Sequence, residues 1–328
     1  MEHIDLRWFV VVNPHAGSGK TLSRWQLAET LMRKKGISYS YNRTDGKMHA
    51  AAMACEAARM GYRRFVAVGG DGTVHEILEG IMRYLSDNCP DGGPAALSDF
   101  YLAVIPIGSG NDWIKSHNVP YDTEKVVDML ASGSFSVQDI VKVSAAGRGD
   151  MPDGGSCSYM INVGGIGLDA RICARVNRQK DAGRSGRLLY LNSLIYNLVK
   201  SRPFRACVEC DGDVIYDGRC LSIAFGLGKY SGGGFRQTPY AVMDDGLLDV
   251  TVIPVLPLHV IMTQAYRLLD GTFPGIKGIV SCKASSVSVT SLDNDGEIIE
   301  VDGEIVGTLP ARLEILPGRL HVLHRTES

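Results

Sequence analysis

Three glycine-bearing turns, each between a predicted strand and a predicted helix, constrain the fold of this chain more than any other feature. They comprise residues 13–20, 69–73 and 106–112, and each follows a short apolar run typical of a buried strand. Repeated alternation of strand and helix is typical of a parallel sheet covered on both faces. Because the carboxyl ends of parallel strands lie at one edge of a sheet, we expect the three turns to converge there.

The first third of the chain and the remainder differ in pattern. In the first third we predict strands over residues 7–12, 37–41, 65–68 and 101–106 and helices over residues 21–35, 49–60, 73–85 and 123–130. After about residue 137, short strand-like runs separated by turns prevail, which is typical of an antiparallel sandwich. The predicted strands there are 137–144, 158–163, 204–209, 221–225, 248–253, 286–291, 298–301, 312–316 and 320–323, with helices over 170–178, 188–200 and 258–269. The predicted fold is a Rossmann-like α/β domain over residues 1–135, followed by a β-sandwich domain over residues 136–328.

Net charge and hydropathy limit the partners and the cellular location that can be expected of this chain. The formal net charge is −2, so no overall electrostatic attraction to nucleic acid is expected. The sequence contains no run of about 18 apolar residues, and the apolar run at residues 8–12 is too short for a signal peptide. We therefore expect a cytoplasmic protein without a transmembrane segment.

The second turn, Gly69-Gly70-Asp71-Gly72-Thr73, has the properties of a phosphate-binding loop. Glycines let main-chain N–H groups approach an anion without an intervening Cβ, and the helix that follows presents its positive dipole end. A carboxylate at Asp71 would repel phosphate unless a cation lay between them, so its presence predicts Mg²⁺. The turn therefore predicts the binding of a nucleotide phosphate together with a metal ion.

Helix capping explains part of the same pattern. Thr73 and Glu76 have the spacing of a capping box, and Ser109 and Asp112 offer a similar arrangement. Capping alone does not require the three glycines and the aspartate together. We therefore favour the phosphate-binding interpretation.

Two other nucleotide motifs match incompletely. The first turn ends in Gly-Lys-Thr, as a P-loop does, but Pro14 stands where the first glycine belongs and has no N–H to donate. Residues 165–170 fit a dinucleotide fingerprint, but no second strand–helix repeat with a suitably placed acidic residue follows. A P-loop NTPase is therefore not favoured, and the dinucleotide fingerprint is set aside as a lone match.

Taken together, the motifs resemble those of the diacylglycerol kinase catalytic-domain superfamily. The similarity is greatest to its soluble bacterial lipid-kinase branch, which is related to sphingosine and ceramide kinases, and it covers nearly the whole chain. The motifs are Asn13-Pro14 with Gly17-Ser18-Gly19, the turn 69–73 with Glu76, Gly108-Ser109-Gly110-Asn111-Asp112, Asp139 within 138–142, Asp-Asp-Gly-Leu-Leu-Asp-Val at 244–250, and Asp302-Gly303-Glu304.

The resemblance implies ATP and Mg²⁺ as cofactors and a lipid alcohol as substrate, with ATP and lipid meeting between the two domains. It implies that the nucleotide lies along Asn13, Gly17, Gly19, Thr44, Gly69, Gly70, Asp71, Gly72, Thr73, Glu76, Ser109 and Asn111. Asp71, Asp112 and Glu304 would belong to the Mg²⁺ and water network, and Asp302 would be the general base. The turn 242–247 resembles a separate structural Mg²⁺ site, with the carbonyls of Val242 and Leu247 and the carboxylate of Asp245 as ligands. His75 and Trp113 depart from the family pattern, which more often has Asn at the first position and Phe or a smaller apolar residue at the second.

The general base is chosen between two Asp-Gly-Glu segments. The first, at 295–297, follows an asparagine and has strong turn chemistry between strand-like runs. The second, at 302–304, follows the apolar alternation 298–301. We predict that Asp302 is the base, with Glu304 assisting the metal.

The sequence indicates less clearly which residues contact the lipid that accepts the phosphate. Residues 228–235 resemble the glycine segment that faces the family's cleft. The basic run Arg171, Arg175, Arg178, Lys180, Arg184 and Arg187 either docks on anionic lipid headgroups or is a solvated helix face, and the second interpretation is slightly favoured.

The predicted enzyme is a phosphotransferase with an alcohol group as acceptor, reaching its lipid at a membrane surface, and a homodimer is plausible. Two alternatives stay open: a kinase of a soluble alcohol, similar to NAD kinase, and a nucleotide-binding regulator without turnover.

Overall fold

The computed structural model describes residues 4–88, 97–107, 111–147, 155–181, 202–293 and 296–325. The chain forms two compact units, one of residues 1–138 with 318–328 and the other of residues 139–317. The division falls within two strands, so the last strand contributes residues to both units. The proposed boundary near residue 135, with all later residues in one domain, stays a prediction.

The first unit contains a parallel sheet in the order β2-β1-β3-β4. Its strands are β1 (Asp5–Val12), β2 (Tyr39–Arg43), β3 (Tyr62–Gly69) and β4 (Tyr101–Pro106). The end of β14 (Glu304–Leu323) pairs in parallel with β4. In the register, Val12 lies beside Arg43 and Val68, and Gly69 lies beside Pro106. All four strands therefore end at nearly the same level, as the prediction of converging turns requires.

Helices of the first unit connect these strands. They are α1 (Thr21–Lys34), α2 (His49–Arg59), α3 (Asp71–Asn88), α4 (Trp113–Ser116) and α5 (Thr123–Ser132), with 3₁₀ turns at Ala16–Gly19 and Leu97–Asp99. The alanine-rich α2 packs closely on α3, because Gly80 leaves room where a Cβ would lie 2.7 Å from the Cβ of Ala54. The strand side chains Val10, Val66 and Ala103 are fully buried. The unit thus buries a near-continuous apolar sheet, as expected for parallel strands.

The second unit consists mainly of antiparallel strands. They are the greater part of β5 (Phe135–Ala146), then β6 (Ser156–Met160), β7 (Val163–Gly167), β8 (Phe204–Cys210), β9 (Asp213–Gly226), β10 (Leu248–Pro254), β11 (Val280–Ala284), β12 (Ser286–Ser291), β13 (Ile298–Val301) and β14 up to residue 317. The long strand β9 pairs with β8 through its first half and with β7 and β10 through its second half. Apolar side chains from these strands, among them Phe204, Phe225 and Val289, form one buried core.

Short helices accompany the strands of the second unit: α6 (Leu168–Asp181), α7 (Leu258–Gln264), α8 (Arg267–Asp270) and a 3₁₀ turn at Phe273–Gly275. Strand β7 carries the glycines of the incomplete dinucleotide fingerprint. A Cβ at Gly165 would lie 2.8 Å from the Cβ of Asp169, and one at Gly167, where φ is 82°, would lie 2.7 Å from the carbonyl oxygen of Leu221. Close packing of a strand accounts for both glycines.

The structure corrects several predicted elements. The strand predicted over 158–163 is two strands, β6 and β7, because the chain bends at Ile161 and Asn162. The strands predicted over 312–316 and 320–323 are one strand, β14, and β11 was not predicted. The helix predicted over 258–269 is divided into α7 and α8. The helix predicted over 188–200 lies outside the described residues. Among the described residues, no helix is both long and apolar enough to cross a membrane.

Candidate active site

Just after the strands of the first unit, the main-chain hydrogen bonding between neighbouring segments continues for one more residue. The main-chain N–H of Asn13 donates to the carbonyl of Val68 at 3.0 Å, and that of Thr44 donates to Val12 at 2.9 Å. The N–H of Ile107 donates to the carbonyl of Gly69 at 2.8 Å. The starts of all three glycine turns and the loop that holds Thr44 are thereby fixed at one edge of the sheet.

The turn 69–73 is packed tightly against its own helix. Helix α3 begins at Asp71, and a Cβ at Gly69 would lie 2.9 Å from the Cβ of Thr73. The Nδ2 of Asn13 donates to Thr73 Oγ1 at 3.1 Å, which ties the first turn to the second. At Gly72, by contrast, an added Cβ would meet no atom within 4 Å. This open space beside the first turn of a helix suits an approaching phosphate group.

The second and third glycine turns are also joined. Asp71 Oδ2 accepts a hydrogen bond of 2.8 Å from the main-chain N–H of Asp112. A Cβ at Gly70 would lie 3.0 Å from Asn111 Oδ1, so the two turns approach closely. The Nδ2 of Asn111 is buried and has no hydrogen-bond partner within the described part of the chain. A buried donor left without a partner is costly, and a ligand oxygen would satisfy it. Ser109, the remaining predicted contact of this turn, lies outside the described residues.

The predicted capping box does not form as such. Helix α3 begins at Asp71, two residues before Thr73, so Thr73 lies within the helix. The carboxylate of Glu76 instead accepts a hydrogen bond of 3.0 Å from the main-chain N–H of Ala50, at the start of α2. Glu76 therefore anchors a neighbouring helix, and capping does not explain the turn 69–73.

The first turn differs from a P-loop in the structure as it does in the sequence. Residues Ala16–Gly19 form a 3₁₀ turn, in which Gly17 and Gly19 have φ values of 59° and 85°. Thr21 Oγ1 donates to the carbonyl of Ala16 at 2.7 Å, at the start of α1. The two glycines are required by their backbone conformation, which side-chain-bearing residues rarely adopt.

The two departures from the family pattern are both buried. Trp113 donates from Nε1 to Gln138 Oε1 at 3.0 Å. His75 lies on α3 with its Nε2 3.8 Å from Glu79 Oε1. Both contacts lie within the first unit.

Oxygen ligands suitable for Mg²⁺ are present at the joined turns. Asp71 and Asp112 are neighbours, and the carboxylate of Asp112 pairs with the ammonium of Lys115. Burial raises the pKa of Tyr121, and the negative charges of Asp112 and Asp71 raise it further. Carboxylates are the ligands that Mg²⁺ prefers, so Asp71 fits the predicted ion, and Asp112 fits it once the Lys115 ammonium leaves its carboxylate. In the described residues no group of three or more His, Cys, Asp and Glu side chains is arranged to hold a metal.

In the second unit, the predicted base lies in the tight turn between β13 and β14. Asp302 and Gly303 have φ values of 50° and 89°, as a two-residue hairpin turn requires. The carboxylate of Asp302 accepts hydrogen bonds of 2.9 Å from the main-chain N–H groups of Ile161 and Asn162. These bonds fix the orientation of the carboxylate.

Hairpin-turn chemistry was the reason for setting aside the segment 295–297, and the segment 302–304 forms such a turn as well. That criterion therefore does not separate the two segments. Asn294 and Asp295 lie outside the described residues. The choice of Asp302 as the base therefore stays a prediction, which the pair of main-chain donors that hold its carboxylate supports.

A buried glutamate beside this turn was missed from the sequence. Glu300 Oε2 accepts a hydrogen bond of 2.9 Å from the main-chain N–H of Gly303. Burial raises the pKa of Glu300 well above its usual value, and the charges of Asp169, Asp302 and Glu304 raise it further. The predicted metal-assisting residue Glu304 thus lies near enough to Glu300 to influence its charge. The signal in the sequence was a glutamate within an otherwise apolar strand.

Helix α6 supports the same turn. The carbonyl oxygen of Gly303 accepts hydrogen bonds from Asn177 Nδ2 at 2.8 Å and from Cys173 Sγ at 2.9 Å. One turn earlier on the helix, Asp169 accepts hydrogen bonds from Ser222 Oγ at 2.6 Å and Gln237 Nε2 at 2.5 Å. The pKa of Asp169 is raised, because desolvation outweighs these bonds.

At the turn predicted as a structural Mg²⁺ site, the ammonium group of Lys283 pairs with the carboxylate of Asp245. Lys283 Nζ lies 2.5 Å from Asp245 Oδ2, while Asp245 Oδ1 accepts a hydrogen bond of 3.1 Å from the N–H of Leu247. The loop is further fixed by Asp139, whose Oδ2 accepts from the N–H of Gly246 at 2.8 Å. Val242, the other predicted ligand, is exposed. The residues present therefore do not fit Mg²⁺ at Asp245 unless the ammonium leaves.

Two arginines of the basic run make contacts within the second unit. Arg171 pairs with Glu297 at 2.5 Å and donates to the carbonyl of Arg202 at 2.8 Å. Arg178 is exposed and donates from Nε to the carbonyl of Ala174. The side chains of Lys180, Arg184 and Arg187 are not described.

Comparison with known proteins agrees with the fold and the motifs. Residues 7–143 match the family model of the diacylglycerol kinase catalytic domain, and residues 162–324 match that of the YegS C-terminal NAD kinase beta sandwich-like domain. The chain is 27% identical over 324 residues to a "Probable lipid kinase YegS-like" of Stenotrophomonas maltophilia, covering 96% of this chain and 95% of the other. It is 26% identical over 317 residues to a "Diacylglycerol kinase" of Bacillus subtilis, with the same coverage. A crystal structure of a diacylglycerol kinase from Bacillus anthracis superimposes with a TM-score of 0.67 at 20% identity, covering 97% of each chain.

Fold and domain matches define a kinase, a phosphotransferase that has an alcohol group as acceptor. The chain belongs to the diacylglycerol kinase catalytic-domain superfamily. The predicted α/β and β-sandwich folds, the predicted family and the predicted class of enzyme are thereby confirmed. The roles of individual residues stay predictions.

Proposed function

We propose that the protein is an ATP-dependent lipid kinase that transfers the γ-phosphate of ATP to a hydroxyl of a diacylglycerol-like lipid. The proposal that ATP binds rests on one observation. Hydrogen bonds join the turns 13–20, 69–73 and 106–112 at the carboxyl edge of a parallel sheet. Ligands of open α/β sheets bind at this edge. The names of the relatives support a lipid as acceptor, and we propose that ATP and lipid meet between the two domains.

The proposed nucleotide site uses the joined turns. Main-chain groups of residues 69–73 and the side chain of Asn111 would contact the phosphates, with Asn13 and Thr44 along the same edge. Asp71 and Asp112 would hold Mg²⁺, and we propose that Glu304 completes this set. When bound, the ion would neutralise charge on the phosphates.

The proposed base is Asp302. As the substrate hydroxyl oxygen forms a bond to the γ-phosphorus, its proton passes to the Asp302 carboxylate, and the bond from phosphorus to the leaving ADP oxygen breaks. Hydrogen bonds from Ile161 and Asn162 would keep the carboxylate oriented for this step. Positioning and charge neutralisation supply most of the catalysis in phosphoryl transfer.

Lipid dependence of ATP consumption tests the proposal. Purified protein is given radiolabelled ATP, Mg²⁺ and a panel of lipid alcohols in mixed micelles, and labelled lipid is measured. We expect label in a lipid product and no ATP consumption without lipid. Phosphorylation of NAD or another water-soluble alcohol instead would support the soluble-substrate kinase, and nucleotide binding without any turnover would support a regulator. Pelleting with lipid vesicles tests the predicted contact with a membrane surface. The molecular mass measured in solution tests the predicted homodimer.

A further inference from the structure

Two cysteine thiols from different strands of the second unit lie in contact. Cys210 ends β8, and Cys282 is the middle residue of β11. Their Sγ atoms are 3.1 Å apart, within reach of a hydrogen bond between the thiols. Strand β8 pairs with β9 and β12, whereas β11, at one edge of the described sheet, pairs with β10. The two thiols therefore meet between strands that have different neighbours.

The spacing of cysteines in the sequence indicates a different pair. Cys207 and Cys210 have the Cys-x-x-Cys spacing that is typical of redox and metal sites. Both lie on β8, where side chains three residues apart point to opposite faces of the strand. Cys210 is buried, while Cys207 lies on the more exposed face. The strand thus turns Cys210 away from Cys207, and Cys282 is the thiol that it contacts.

Hydrogen bonds of neighbouring residues hold the two thiols in place. Asp211, directly after Cys210, accepts hydrogen bonds from the main-chain N–H groups of Ser285 and Ser286 at 3.0 and 2.9 Å. The N–H of Asp211 donates to the carbonyl of Ser286 at 2.9 Å. Because Ser285 directly follows β11, these bonds tie the ends of β8 and β11 together. Groups held in contact react with each other much faster than with groups in free solution.

The two thiols differ in accessibility. Cys282 is half-buried on an edge strand, whereas only 6% of the surface of Cys210 is exposed. The hydrogen bond between the thiols lowers the pKa of Cys282, because it stabilises the thiolate of that residue. An accessible thiol beside a second, covered thiol is the arrangement of a reversible oxidation site.

We propose that Cys210 and Cys282 are an oxidation site, at which a hydroperoxide such as hydrogen peroxide converts the two thiols to a disulfide. The Cys282 sulfur attacks one peroxide oxygen, the O–O bond breaks, and a sulfenic acid forms while hydroxide leaves and takes up the thiol proton as water. The Cys210 sulfur then attacks the Cys282 sulfur. The S–S bond forms as the S–O bond breaks, and the departing hydroxide leaves with the Cys210 proton as water. The two thiols together lose two electrons, and the peroxide is reduced.

This disulfide would close a long stretch of chain. The closed loop contains β9, the glycine-rich segment 228–235, the turn 242–247 and β10. Closing a long loop restricts the unfolded chain, so oxidation should raise the melting temperature by roughly 5 °C or more. A thiol reductant should reverse the rise. None of these steps depends on the proposed kinase reaction.

Peptide mapping after peroxide treatment tests the proposal. The reduced full-length protein is treated with hydrogen peroxide, its remaining thiols are alkylated under denaturing conditions, and the digest is analysed by mass spectrometry. We expect peptides linked through Cys210 and Cys282 as the main product, and we expect dithiothreitol to remove the link. A link between Cys207 and Cys210, or thiols at 210 and 282 that stay reduced while other cysteines are oxidised, would overturn the proposal.

Three variants assign the role of each thiol. In Cys210→Ala the second thiol is missing, so the oxidation of Cys282 should stop at the sulfenic acid, which dimedone captures. In Cys282→Ala the covered Cys210 should stay reduced. The matched control Cys207→Ser removes the other cysteine of the Cys-x-x-Cys pair and should form the link as the wild type does.

Equal dimedone labelling of Cys282 in the wild type and in Cys210→Ala would contradict the role of Cys210. Thermal unfolding followed by circular dichroism checks that each variant is folded. Mapping of the wild type requires no substitution, so it decides the question even if a variant does not fold.

Discussion

The carboxylate of Asp71 accepts a hydrogen bond of 2.8 Å from the main-chain N–H of Asp112, although 41 residues separate them in the sequence. This bond joins the turns that follow β3 and β4, and the bond from Asn13 to Thr73 joins the turn that follows β1. Three segments with no sequence proximity thus form one edge. The oxygen-rich pair Asp71 and Asp112 lies at that edge, where an open α/β sheet binds its ligand.

The change Gly72→Ala should affect stability and nucleotide binding in opposite directions. A Cβ there would meet nothing within 4 Å, and the residue lies within α3, so Gly72→Ala should raise the free energy of unfolding without nucleotide by up to about 1 kcal/mol. If the open space receives a phosphate, the same change should weaken ATP binding. The measurements are chemical denaturation and calorimetric ATP titration. Gly36→Ala is a control outside the turns, at a position where φ is 69° and alanine should only destabilise. Unchanged ATP affinity in Gly72→Ala would argue against phosphate contact at this glycine.

Removal of Lys283 should create a dependence on Mg²⁺. Its ammonium occupies Asp245 Oδ2, so we expect the melting temperature of the wild type to be the same in Mg²⁺ and in EDTA, without nucleotide. In Lys283→Met the carboxylate is left without its cation, and Mg²⁺ should raise the melting temperature by roughly 2–4 °C per kcal/mol of stabilisation. A double variant with Asp245→Asn should lose this response. A wild-type protein that EDTA destabilises would instead support the structural Mg²⁺ predicted from the family pattern.

His117 should make the first unit sensitive to acid. Burial lowers the pKa of His117 to about 3, and its Nε2 lies 2.7 Å from Gln138 Oε1. The unfolded chain takes up a proton near the usual pKa of about 6.5, so stability is fully present above that pH and is lost as pH falls, by roughly 1.4 kcal/mol per pH unit. The change His117→Gln should reduce this slope between pH 6.5 and the pKa of the folded state.

Denaturation followed by tryptophan fluorescence measures this effect, since Trp8, Trp25 and Trp113 all lie in the first unit. The exposed His259, changed to Gln, serves as the control and should leave the slope unchanged. An equal slope in wild type and His117→Gln would contradict the assignment of a buried neutral imidazole.

The contribution of Glu300 to stability should depend on pH in the opposite direction to that of His117. Its pKa in the folded protein is raised by burial and by neighbouring carboxylates, so it contributes stability at low pH that is lost as pH rises. The neutral Glu300→Gln side chain can still accept the hydrogen bond from Gly303, and it should stabilise the protein relative to wild type at alkaline pH. Denaturation monitored by circular dichroism at acidic and alkaline pH measures the difference. A stability difference that does not change with pH would show that Glu300 is ionised in the folded state.

Much of the fold was predictable, because strong local signals agreed with the tertiary structure. The strands β4, β12 and β13 begin and end where their apolar pattern predicted, and α1 and α2 end within one residue of prediction. The errors occur where tertiary contacts decide. Strand β7 is rich in glycine and has weak strand propensity, but close packing against Phe225 and the β13 backbone makes glycine necessary.

The candidate site was predictable as a set of turns but not as a set of contacts. Strand order placed the turns at one edge, whereas the bond between Asp71 and Asp112 and the use of Glu76 to anchor α2 depend on side-chain directions that spacing does not specify. Glu300 and Asn162 were missed for a related reason. Their importance comes from burial beside Asp302, and no local motif marks a residue as buried.

The most direct test of the account is the change Asp302→Asn, measured as lipid phosphorylation and as ATP binding. Asparagine has nearly the same shape and can still accept one of the hydrogen bonds from Ile161 and Asn162, but it cannot take a proton from the substrate hydroxyl. We predict ATP affinity within about twofold of wild type and a loss of kcat by about 10²-fold or more. Full turnover in Asp302→Asn would contradict the central claim that this carboxylate is the base.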